Sequence, residues 1–283
     1  MSRRTALLAG CALIAFAGNS ILCRGALAGG HVDPATFTLV RVASGAAVLA
    51  VLARGRARGE RRRGPARAIA LFAYAALFSW AYVRVPAGPG ALVLFAAVQL
   101  TMLAAAVRAG VGPRGVQWAG LALAVGGLAT LTLPGATAPD PVGVVAMAGA
   151  GIAWGAYSLL GRSAGDPVVA TAAAFLGALP LAVVGAAAAW ATGALRADAT
   201  GLVLATASGA VLSGLGYVVW YAVLPALGTT RAAILQLAVP VLAAVAATLL
   251  LGEPPSLRLV AAGAAVLGGI ALATWRRAAV PPR

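Results

Sequence analysis

Two apolar runs of about 20 residues meet at a short stretch holding Pro225, Gly228 and Arg231. Each run is long enough to cross roughly 30 Å of hydrocarbon as a helix. Arg231 and Glu253 bracket the second run, which carries no charge between them. A weaker copy lies earlier in the chain: residues 80–102 align without a gap over residues 221–243. A chain that crosses a membrane many times and repeats itself once is the first expectation.

Composition agrees. Of 283 residues, 62% are hydrophobic and 10% charged, with a mean hydropathy of +0.97. Soluble domains carry about 25% charged residues, so the water-soluble globular class is excluded. The formal charge is +15, and apart from His31 every basic residue is arginine. A nucleic-acid binder would gather those arginines on one folded face. Here they fall between apolar runs, most densely over residues 54–67, so no nucleic-acid partner is expected. Loops of this kind stay on the cytoplasmic side and attract anionic lipid headgroups.

Hydropathy predicts about ten spans, at residues 5–23, 34–53, 68–85, 88–107, 116–134, 142–161, 168–192, 201–224, 229–251 and 257–275. With the N-terminus inside, that side holds Arg3, Arg4, the 54–67 cluster, Arg108, Arg114, Arg162, Arg231, Arg276, Arg277 and Arg283. The opposite side holds only Arg24, Arg84, Arg196 and Arg258. Both termini are therefore expected in the cytoplasm. Arg3 and Arg4 before an apolar run, with Ala26-Leu27-Ala28 after it, imitate a cleaved signal peptide. The run is longer than the usual signal core, so a retained first helix is expected. Cys11 and Cys23 share that helix, too far apart to bridge.

The repeat extends beyond the opening stretch. Phe16 falls on Trp154 and Ser20 on Ser158; the next helices open with Asp33-Pro34 and Asp166-Pro167. The fifth and tenth spans share Gly126-Gly127 and Gly268-Gly269. The chain thus reads as an all-α integral membrane protein of two five-helix repeats, residues 1–138 and 139–283. Five is odd, so the second repeat enters the membrane inverted, a construction frequent among secondary transporters.

These motifs together resemble the drug/metabolite transporter superfamily, in its ten-helix EamA branch. The residues that carry the likeness are FAGNS at 16–20, Arg41, WGAYSLLGR at 154–162 and the stretch 216–253. The family's proline-containing helix and Gly-Glu ending are matched at Pro240 and Gly252-Glu253; the first half has Gln99 and Gly112 in those places. The resemblance implies a multi-pass inner-membrane protein that exports or exchanges a small metabolite.

Arg41 stands about 10 Å into the second span, and charges at such depth usually face a bundle interior or an aqueous cavity. It is the first candidate for substrate binding, as a fixed cation for an anionic group; a snorkelling arginine is the alternative. Asn19, Gln99 and Gln236 are further candidates, although buried amides also serve simply to join helices. Ser213, Tyr217 and Trp220 lie on one helical face, and Tyr157 on another. Pro240 is a candidate hinge. One histidine and scattered acids assemble no metal site, and no phosphate-binding loop is present, so neither cofactor nor enzymatic activity is expected. The alternative reading is a non-transport membrane protein, a lipid-metabolism enzyme or a closed structural bundle.

Overall fold

The computed structural model describes residues 2–56, 64–110, 115–133, 135, 138–161 and 166–274, apart from the side chains of 228–234 and 274. They form α1 (Arg3–Ala28), α2 (Pro34–Leu52), α3 (Gly64–Tyr82), α4 (Ala87–Arg108), α5 (Val116–Thr132), α6 (Pro141–Gly161) and α7 (Pro167–Ala191). Then come α8 (Ala199–Thr206), a π-helical segment (Ala207–Leu215), α9 (Gly216–Gln236), α10 (Ala238–Leu251) and α11 (Leu257–Thr274). No strand occurs among the described residues; Val32 and Ala197 make one isolated bridge.

Among the described residues, six helices are long and apolar enough to cross a membrane: α1, α2, α4, α6, α7 and the run Ala199–Leu227. α5, α10 and most of α11 are shorter and apolar. The helices are hydrophobic all round. Leu249 is 76% exposed, Val145 72% and Leu257 89%. Such apolar surface belongs against lipid.

Capping residues set where helices begin. Asp33 accepts from the Ala35 and Thr36 backbone N–H groups, and Pro34 follows in the first turn. Asp166 repeats the arrangement with Val168, Val169 and Pro167. Side-chain oxygens satisfy donors that the first turn leaves unpaired, and proline there loses nothing.

α3 packs on α6 and α7, α2 on α7, α4 on α6, and α1 on the π-helical segment, α9 and α10. α5 and α11 pair with each other at the side of this group. Small residues let helices approach closely in a membrane, where packing rather than water drives association.

Two boundaries differ from expectation. The chain stays helical past Pro225 and breaks at Leu237. One proline removes one donor, while every other backbone group in an apolar setting must still bond internally. Pro240 consequently lies not in mid-helix but in the first turn of α10, where backbone N–H groups have no intrahelical partner and the missing one costs no helical hydrogen bond. Arg67, counted with the loop arginines, is in the first turn of α3 and only 5% exposed.

Candidate functional site

Gly209 decides where the site forms. A Cβ there would sit 2.1 Å from the Arg41 carbonyl oxygen and from Ser44 Oγ, so only glycine lets the π-helical segment lie against α2. That contact brings Ser213 beside Arg41. Arg41 Nε donates to Ser213 Oγ at 3.2 Å and Nη2 to Tyr74 Oη at 3.0 Å. The guanidinium carbon stands 5.1 Å from the Tyr74 ring centre and 5.0 Å from that of Phe78. Both rings offer their negative faces to the charge. Nη1 is buried without a partner.

Ser213 Oγ passes the chain on to Asn19 Oδ1 at 3.4 Å, and Ser208 Oγ donates to the same oxygen at 2.7 Å. Serines five residues apart reach one acceptor because π-helical bonding runs from i to i+5, which stacks those positions.

In front of this network lies a cavity lined by Phe16, Asn19, Tyr74, Phe78, Leu94, Phe95, Trp154 and Tyr217. Its rings touch: Tyr74 and Trp154 centres are 4.9 Å apart, Trp154 and Tyr217 5.0 Å, Phe16 and Tyr217 5.9 Å. About 20 Å³ remains open to the centre of a water molecule, enough for one water.

Each end of the bundle has its own closure. At one end, Arg24 Nε donates to Glu253 Oε1 at 3.0 Å, and Nη1 to the Tyr82 and Val83 carbonyls at 2.8 and 3.1 Å. Glu253 Oε2 accepts from Ala87 N–H at 2.7 Å, at the start of α4. Gly252, at φ +66°, makes the left-handed turn that ends α10 and sets Glu253 in place. The α1–α2 loop docks nearby on the α7–α8 connection, where His31 Nδ1 meets Asp198 Oδ2 at 2.8 Å. The opposite end gathers Tyr157, Tyr221 and Thr171 within range of the Arg67 charge. Arg67 Nε has no partner.

A model of the EamA-like transporter family matches residues 3–133 and 141–275. The chain belongs to that family. An uncharacterized protein of Pseudomonas aeruginosa is 52% identical over 272 residues, 95% of this chain and 94% of that protein. A protein known from its crystal structure superposes with a TM-score of 0.67 at 23% identity, over 96% of this chain and 98% of that one. That likeness extends to the fold.

Within this EamA-family chain, the sequence candidates scatter around the cavity. Asn19 and Tyr217 line it. Arg41 and Ser213 lie behind its wall, joined to it by hydrogen bonds. Tyr157 stacks on Trp154 at 5.3 Å and Trp220 packs on Phe16 at 5.6 Å, both one ring removed. Gln99 is buried with Nε2 unpartnered, and Gln236 is half-buried; neither lines the cavity. Sequence reasoning missed Tyr74, Phe78, Phe95 and Arg67. Tyr74 and Phe78 share the buried face of α3 with Arg67 and Leu71, at helical spacing. That spacing was the available signal. His31 hydrogen-bonds Asp198 in the loop, away from the cavity.

Proposed function

We propose that this protein is an inner-membrane secondary transporter that exports or exchanges a small organic metabolite by alternating access. The halves are residues 1–138 and 139–283, inverted relative to each other, with ten spans in all. Paired packing supports this: α2 meets α7, α5 meets α11, α4 lies on α6 as α10 lies on α1, and α3 lies on α6 as the π-helical segment and α9 lie on α1. Phe16 and Trp154, equivalent in the repeat, meet the same cavity. Both termini are cytoplasmic, so the Arg24–Glu253 closure faces outward and the Arg67 closure inward. The arginine-rich stretch that precedes α3 contacts anionic headgroups. Pro240, beside the break at Leu237, serves as a hinge.

The observation that carries the reading is the aromatic cavity between two closures, backed by the buried Arg41. A deep cation with no acid beside it calls for an anion or a strong dipole to offset its cost, at least roughly 2.5–3.5 kcal/mol on insertion scales. The test is a thermal-shift screen of purified protein against a metabolite panel, followed by counterflow in proteoliposomes. Native-state binding raises the melting temperature. A panel without a stabilising solute, together with no counterflow, would reject the proposal. Orientation is checked separately. A cysteine placed at Gly59 should resist an impermeant label from outside, and one at Asp140 should react.

A further inference from the structure

Hydrogen-bond direction in the cavity wall is set by Arg41, because a guanidinium only donates. Ser213 Oγ receives from Arg41 Nε, so its own hydrogen goes to Asn19 Oδ1. Ser208 donates to the same oxygen. With the carbonyl oxygen held by two hydroxyls, the orientation of the amide is assigned by its network. Nδ2, with two hydrogens, is left for the cavity that Asn19 lines. Tyr74 repeats the logic. Its oxygen accepts from Arg41 Nη2, leaving its hydrogen to donate. Tyr217 adds a second hydroxyl to the lining. The remaining polar atom of the lining, Trp154 Nε1, is a donor as well. No lining residue is an acid, and the one amide oxygen is occupied.

Building on the transport reading above, we propose that the cavity selects a planar organic monocarboxylate lacking an ammonium group. Its carboxylate is held by Asn19 Nδ2 and the Tyr74 hydroxyl, and its flat body lies between the rings of Phe16, Trp154 and Tyr217. Arg41 is a positioning residue: it orients and polarises these donors from behind. A zwitterion or an amine is disfavoured because no acid lines the cavity to pair with its ammonium group and the buried Arg41 charge behind the wall repels it, against the attraction of the ring faces. The cavity at present holds one water's worth of space, so a ring enters only when the rings part.

Benzoate, benzylamine and benzyl alcohol test this against purified full-length protein, by quenching of tryptophan fluorescence and by thermal shift. A Trp154→Phe control assigns the quenching. Benzoate should bind at least ten-fold more tightly than benzylamine. Asn19→Asp replaces the donor with an acceptor and should invert that ratio. Ser213→Ala releases one clamp on the amide oxygen, and Arg41→Lys loses the fork that serves Ser213 and Tyr74 together. Both should narrow the ratio several-fold, a change that general loss of packing would not produce. Where Asn19→Asp fails to fold, Tyr74→Phe supplies the test, with benzoate binding weakened against unchanged benzyl alcohol. Equal or tighter binding of benzylamine to the wild type overturns the donor assignment and leaves the transport reading intact. So does a Trp154-dependent signal from other panel solutes with none from benzoate. No cavity signal from any solute, together with no counterflow, removes both.

Discussion

The two ends of the bundle are shut by opposite means. At the Arg24 end, charge meets charge: Glu253 takes Arg24 on one oxygen and the Ala87 N–H on the other. Arg24 also ties two carbonyls at the end of α3. At the Arg67 end, Tyr157 and Tyr221 lie within range of a buried arginine whose Nε is unmatched. A satisfied charge network resists opening, because separating it leaves each ion to be resolvated alone. A buried N–H without a partner gains from opening, since water then reaches it. The lesson is an asymmetry: the polar ties gather at one end, and on the transport reading proposed above the Arg67 side is the one expected to yield first.

The largest effect that would break this comparison comes from Glu253→Ala. It strands Arg24 and the Ala87 N–H, and should lower stability by about 1–3 kcal/mol, below the fully buried case because the pair is part-exposed. Cys23, buried next to Arg24, reports the opening. In a Cys11→Ser background its alkylation by a permeant maleimide should speed up about ten-fold. An unchanged rate would mean that the pair does not hold this end.

At the other end the sign should reverse. Arg67→Met removes a buried cation with an unmatched N–H, and such replacements are often neutral or stabilising by about 1–4 kcal/mol. The melting temperature should rise by a few degrees while counterflow slows. A fall in melting temperature would show that Arg67 is fully compensated and would erase the contrast.

The smallest effect concerns Arg56 and Asp166, on the loop side of α7. The Arg56 hydrogen bond holds the Asp166 carboxyl below its ordinary value of 3.8, aided by the N–H groups of Val168 and Val169. A depressed carboxylate stabilises the fold above its unfolded pKa and loses that contribution as pH falls through the folded one. Melting temperatures followed downward from pH 6 should fall less steeply below pH 3.8 in Arg56→Gln than in wild type. The difference should be under about 1 kcal/mol, because the pair is largely exposed. Identical profiles would leave the backbone caps as the whole cause.

The membrane class, the family and the burial of Arg41 were legible in the sequence, because hydropathy and a lone deep charge need no tertiary context. The face that each helix turns inward was not. Helices apolar all round carry little amphipathic signal, so Tyr74 and Phe78 stood out only by their helical spacing with Arg67 and Leu71. Arg67 was grouped with the loop arginines because it follows closely behind them, and only the onset of α3 at Gly64 moves it into the bundle. Arg41 was expected in the cavity itself. It stands one layer back because Tyr74 and Phe78 intervene, a placement fixed by α3 packing and not by local sequence. Ser208 and Ser213, read with α-helical spacing, fall on different faces, and the π-helical segment brings them together.

That segment has a consequence in heredity. One residue added to an α-helix turns everything beyond it by about 100°. In a membrane helix this exposes buried side chains to lipid and buries lipid-facing ones. A π turn absorbs the extra residue and leaves the flanking faces in phase. Between Ala207 and Leu215 the chain is therefore open to losing a single codon without scrambling α8 or α9. Length differences among descendants of this gene should collect there, and each would retune the serines that hold Asn19 while sparing the rest of the helix.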